Sequence, residues 1–370
     1  MKRYLLAISV LSLVALLGCA RQNTLKGQDA SSSIKVDSRG VKYIVDPGKI
    51  LSGGPPKDGI PSIDNPKFVK LAEADRWIKD NELVLAIIYK GVKRVYPLQI
   101  LVWHEIVNDA IAGDPILITY CPLCGSGIAY LRSIDGEAVE FGTTGKLYNS
   151  NLVMYDRKTD TWWTQIDGKA IVGELTGRGL TEISIDTVTW GEWKREHPES
   201  EVLSRDTGFS RSYGRDPYGS YYKHSTLMFP VEHDDRRIHP KTVIFGIEVG
   251  GVYKAYKEED VMKKGTFEDS VAGVAIRVNR DPAGIVSFTN MDSGKEIVKE
   301  RDFWFAWYAF HPDTLVYEDE HGTREKMYKI KFDNDFNVAY VGAHPERVRR
   351  LVPEQIGAFL FLEVESYVSR

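Results

Sequence analysis

A mainly β fold, a β-rich α+β body with few short helices, follows from three features of the chain. Short apolar or alternating runs recur along its length. Clusters of Gly, Pro, Asn and Asp separate them. The chain also matches itself at fixed offsets. Together these predict two tandem related β-rich units forming one two-lobed body.

The order begins with MKRYLLAISVLSLVALLGCA. Lys2 and Arg3 precede an apolar run, Tyr4 to Leu17, shorter than the ~20 residues a membrane-spanning helix needs. Residues 1–18 read as a signal peptide, and "LLGC" resembles the bacterial lipoprotein box, which implies lipidation of Cys19. The expected location is the cell envelope outside the inner membrane, and the outer membrane in a Gram-negative cell, since Ala20 rather than Asp follows Cys19. The membrane, reached through the lipid anchor, is the one partner the sequence names. Loss of residues 1–18 takes the formal net charge from -4 to -6. That mild acidity, with no basic cluster, argues against a nucleic-acid partner. The sequence does not identify a small-molecule or protein partner.

Residues 19–59 read as a lipidated N-terminus and flexible tether, polar at "RQNTLKGQDASSSIK" and rich in Gly and Pro at "DPGKILSGGPPKDGIP". The next segment, "NPKFVKLAEADRWIKDN", has helical spacing. Strands then dominate. "LVLAIIYKGVKRVYPL" reads as a hairpin around Lys90-Gly91, and "DPILITY" with "GIAYLR" as a second pair. Short helical turns are expected at "PLQILVWHEIVND" and "TWGEWKREHP".

The self-match sets the organisation. "YKGVKRVY" (89–96) matches "VGGVYKAY" (249–256) at an offset of 160, and "VNDAIAGDPILI" (107–118) faces "FEDSVAGVAIRV" (267–278). "TWGEWKREHPESEVL" (189–203) matches "FWFAWYAFHPDTLVY" (303–317) at 114, so the first copy carries roughly 46 additional residues. The expected segments are a first unit at 60–205, a Gly/Tyr-rich connection at 206–239, a degenerate second unit at 240–320, and C-terminal strands at 321–370 closing the body. Shared positions read as fold determinants. His197 and His311, each in a His-Pro step after a Trp-containing turn, therefore read as structural.

Differences between the copies are where function is expected. Cys121-Pro122-Leu123-Cys124 faces Asp281-Pro282-Ala283-Gly284, and His104 faces Lys264. The thiols and the histidine are lost together, which points to one site. With Cys19 lipidated, Cys121 and Cys124 are the only thiols left, in an oxidising compartment.

The stretches "IPSIDNPKF", "YPLQILVWHEIVND", "TYCPLCGSGIAY", "GKLYNSNLVMYDR", "TWGEWKREHP" and "GFSRSYGRDPYGSYY" resemble the prokaryotic family catalogued as domain of unknown function 3179, over roughly Ile60 to Tyr317. The resemblance implies an exported, often lipid-anchored protein with CPLCG as a hallmark. It implies no activity.

Read as residues, "CPLCG" is similar to the knuckle of rubredoxins and zinc ribbons. Two thiolates on a tight turn converge on one ion at about 2.3 Å. Pro122 stiffens the turn, and Gly125 admits positive φ. One knuckle supplies two ligands, and His104 is the candidate third. A Cys, Cys, His set would suit Cu, Zn or Fe. Additional ligand or pocket candidates are Glu105, Asp109, Tyr148, Asn149, Asn151, Met154 and His224. The second reading is thiol–disulfide exchange, or another enzymatic use of the cysteine pair, although no thioredoxin-like βαβ pattern surrounds it. The third is a non-catalytic ligand-binding protein with a structural disulfide. The tyrosine- and arginine-rich "TGFSRSYGRDPYGSYYKH" reads as a surface loop, with Arg211, Tyr213, Arg215 and Tyr218 able to form a lip over the site.

Overall fold

The computed structural model describes residues 34–318, with 331–332 and 338–339 beyond them. The chain divides into two compact units, 1–315 and 316–370. In the second, Lys331–Phe332 pairs antiparallel with Val338–Ala339. The signal segment, Cys19, the tether up to residue 33, and, apart from residues 331–332 and 338–339, the strands expected at 321–370 lie outside the described residues.

The first unit is mainly β. One sheet has the strand order Asp186–Thr189, Leu83–Tyr89, Val92–Pro97, Glu201–Leu203, Phe68–Lys70. A second has Thr181–Ile183, Ser126–Leu131, Asp114–Cys121, Ile106–Ile111. The run "LVLAIIY" is apolar and rich in Leu and Ile and buries four consecutive residues, as a strand covered on both faces must. Its hairpin turns at Lys90-Gly91 with φ of 49° and 81°, the left-handed pair that matches strand twist.

The same succession recurs later in the chain. Strands Val243–Val249 and Val252–Lys257, helix Glu258–Lys264, strands Phe267–Val271, Val274–Arg280 and Val286–Asn290 stand 160 residues after their counterparts. Helix Trp304–Phe310 stands 114 after Trp190–Glu196. The second hairpin turns at Gly250-Gly251, with φ of 59° and 81°.

Side-chain detail is repeated too. The Asp109 carboxylate accepts from the Arg94 guanidinium at 2.7 Å and from the Tyr96 hydroxyl at 2.5 Å. In the later set, Asp269 is 2.5 Å from Lys254 and 2.7 Å from the Tyr256 hydroxyl. Asp109, a pocket candidate from sequence, is thus committed to a packing triad that both sets share. His197 and His311 are also matched. Each packs on the preceding Trp, at 4.3 and 4.2 Å between ring centroids. Each also gives its carbonyl to a hydroxyl, Ser200 or Thr314, which in turn accepts the same Trp's N–H.

Two expectations change. Residues 34–59 are not all tether: Lys35–Val36, Lys42–Tyr43 and Leu51–Ser52 join a seven-stranded sheet. Its remaining strands, Phe141–Tyr148, Asn151–Asp156, Trp162–Thr164 and Ala170–Val172, come from the residues that only the first set carries. The segment with helical spacing forms strand Phe68–Lys70 and one helical turn, Leu71–Ala74. Pairing of Phe68–Lys70 with Glu201–Leu203 overrides the local period, and no side chain caps the helix start.

Candidate functional site

The cysteine turn joins strand Asp114–Cys121 to strand Ser126–Leu131. Cys124 N–H donates to the Cys121 carbonyl at 3.1 Å, and Gly125 takes a φ of 65°. The later set closes the matching turn with Gly284 N–H on the Asp281 carbonyl, also at 3.1 Å. The turn therefore forms without cysteines, and the thiols are not needed to close it.

Both thiols are free and buried, Cys121 at 2% exposure and Cys124 at 0%. The seven-stranded sheet covers Cys124. Its Sγ lies 3.5 Å from the Ser150 carbonyl, and the Asn151 amide donates to it at 3.5 Å. The Asn151 amide also reaches Gln165 Oε1 at 2.7 Å, and Gln165 binds Ser126 and Thr119. Burial, reinforced by the adjacent Cys121 thiol, holds the Cys124 pKa well above its ordinary value.

The connection covers the other side. The Tyr221 hydroxyl donates to the Leu123 carbonyl at 3.1 Å. Buried Lys241 donates to the Tyr221 and Thr226 carbonyls and lies 3.4 Å from the Tyr221 ring centroid. Tyr218 lines a cavity of about 240 Å³ with Cys121, Glu105, Lys146 and mostly apolar neighbours.

Glu105 is the unexpected member. It follows one helical turn, Leu98–Leu101, at a φ of 57°, where the later set has Gly265 at 71°. An L-residue there costs energy that Gly does not. Its carboxyl is also buried, which pushes its pKa up to about 8. The chain thus bears two costs to place a protonatable carboxyl on the wall it shares with Cys121. The sequence showed the acid, but not the left-handed backbone that marks it.

His104 is fully buried beside it, and both ring nitrogens are engaged. Nδ1 lies 2.8 Å from the Pro61 carbonyl and Nε2 2.7 Å from the Tyr213 hydroxyl. A carbonyl only accepts, so Nδ1 carries the proton and the Nε2 lone pair is taken by Tyr213. Burial holds the imidazole neutral by lowering its pKa. The expected Cys121, Cys124, His104 donor set is not assembled: among the described residues, no group of three or more His, Cys, Asp or Glu side chains is arranged to hold a metal ion.

The other candidates separate. Asn151 touches Cys124. Met154 is buried in the core cluster that includes both cysteines. Asn149 ties the sheet to the Ala309 carbonyl and the Glu232 amide, and the Tyr148 hydroxyl binds Glu232. His224 is exposed at the end of the single turn Tyr221–Lys223.

Fold and site define a class: a β-rich body of two matching strand sets, one of which carries a covered dithiol turn. The chain belongs to the family described as Protein of unknown function (DUF3179), whose model matches residues 57–300. No curated protein and no solved structure shows a match to the chain. No helix among the described residues is long and apolar enough to cross a membrane.

Proposed function

We propose that this protein is an extracytoplasmic lipoprotein, anchored through Cys19, that carries out thiol–disulfide exchange at the Cys121–Cys124 turn. The observation that carries the reading is Glu105, a buried carboxyl on the same cavity wall as Cys121. A carboxyl whose pKa is near 8 can take a proton from a thiol and return it near neutral pH.

In the proposed step Glu105 accepts the Cys121 proton. The Cys121 thiolate attacks a disulfide, forming one S–S bond as the substrate's own breaks. The departing thiolate takes the proton back from Glu105. Cys124 then attacks the Cys121 sulfur, the bond from Cys121 to the substrate breaks, and the Cys124 proton ends on the second substrate thiolate as it leaves. The protein loses two electrons and the disulfide gains them. The small, mostly apolar cavity favours a low-molecular-weight disulfide over one buried in a folded protein.

The two matched strand sets are read as an ancient tandem duplication, in which only the first copy kept a reactive turn. The test is thiol counting with metal analysis on anaerobically purified mature protein. The reading expects two reactive thiols, no stoichiometric metal, and reversible loss of both thiols in an oxidised glutathione buffer with the fold intact. One equivalent of Cu, Zn or Fe, lost in Cys121→Ser, would favour coordination instead. A pair that never changes redox state would leave a ligand-binding protein.

A further inference from the structure

Strand Lys299–Phe303, from the later set, lies against the cysteine turn. Phe303 N–H donates to the Cys124 carbonyl at 2.8 Å, and the Phe303 ring stands 3.0 Å from where a side chain on Gly125 would begin. The strand also packs on Ser126–Leu131, which continues from the turn. The acids of that seam are unusual. Asp302 is fully buried, and neither carboxylate oxygen has a donor; one oxygen of Glu300 is equally unpartnered. The two carboxyls stand two residues apart on one face of the strand, and they can bond one another only if one carries a proton.

The neighbouring cations, Lys299 and Arg301, are paired with other acids. Glu182, from the strand paired with Ser126–Leu131, faces the pair, and Asp167 lies near Glu300. Lys299 is committed to Asp186 at 2.9 Å, close enough for an ion pair but off the line of a hydrogen bond. Arg301 is held by Glu258 through two bonds of 2.7 and 3.0 Å. The remaining titratable neighbours are the phenols of Tyr130 and Tyr253 and the thiol of Cys124, none of them cationic.

We propose that Glu300 and Asp302, with Glu182 opposite, form a proton-operated latch that holds strand Lys299–Phe303 against the cysteine turn. With a proton shared, the pair is satisfied and the seam is closed. As pH rises the protons leave, like charges in a poorly solvated space repel, and the strand lifts, breaking the Phe303–Cys124 bond and uncovering the turn. Burial places the change near neutrality, with Asp302 at about 7 and Glu182, raised further by the Asp302 charge, at about 8. The latch is independent of what the thiols do.

Hydrogen–deuterium exchange of the full mature chain, read on peptides covering 121–126 and 299–304 and corrected for intrinsic exchange at each pH, tests it. The wild type is expected to lose roughly tenfold or more of its protection in both peptides between pH 6 and pH 9. Glu300→Gln with Asp302→Asn, which fixes the neutral hydrogen-bonded form, is expected to keep its protection at both pH values. Equal protection at both pH values in the wild type, or an equal loss in the double variant, overturns the latch. If circular dichroism shows the double variant unfolded, Glu182→Gln is read instead, and a pH effect as large as in the wild type overturns it.

Discussion

Glu105 shows how much a single residue can reveal once its backbone is known. The counterpart position has Gly265, so the fold asks for a left-handed residue and nothing more. Glu105→Gly removes both the strain and the buried carboxyl. The variant is expected to unfold at higher urea concentration, by about 1 kcal/mol, while its thiol exchange slows on the order of 100-fold. Asp109 makes the opposite case. Asp109→Ala leaves Arg94 without its buried partner, and a loss of about 3 kcal/mol is expected in urea unfolding, with the reactivity of the refolded protein unchanged. In sequence the two acids look alike, each an oxygen donor near the cysteine turn. Their sorting needed the paired triad in the later set and the sign of one φ angle, neither of which appears in residue order.

At the scale of elements, the hairpins were the most legible part. Lys90-Gly91 between β-branched and apolar runs gave a turn at that position, and Gly125 took the positive φ expected after the cysteines. The N-terminal strands at 35–52 are hidden in the sequence because two-residue strands carry no period, and the sheet partners of Tyr43 and Leu51, Val172 and Leu147, lie far along the chain. In sequence His104 looks like a ligand because it and the thiols are missing together from the second set. In the structure its Nε2 meets the hydroxyl of Tyr213, from the connection. The connection itself is pinned by Lys241. Lys241→Met leaves the Tyr221 and Thr226 carbonyls without their donor, and the expected result is a destabilisation of about 2 kcal/mol with faster maleimide labelling of Cys121.

For the whole molecule, the carboxyl seam adds to Glu105 in the pH dependence of stability. Glu182 and Asp302 have folded pKa values of about 8 and about 7, above those of free carboxylic acids. The folded state therefore binds more protons than the unfolded chain near neutrality. Their contribution is fully present below the unfolded pKa and is lost as pH rises through 7 to 8. Urea midpoints are expected to be lower at pH 9 than at pH 6, and the difference is expected to shrink in Glu300→Gln with Asp302→Asn. Two matched strand sets explain the plan: repeated triads and His-Pro steps carry the fold, while the seven-stranded sheet and the connection are spent on covering one turn.

The proposed exchange turns on Glu105 as the proton partner of Cys121. Its direct measurement is the rate of Cys121 alkylation by iodoacetamide in Cys124→Ser protein, from pH 6 to 10, with and without Glu105→Gln. The expected profile rises with an inflection near 8 that disappears in the Gln variant. Superimposable profiles would mean that Glu105 does not take the Cys121 proton.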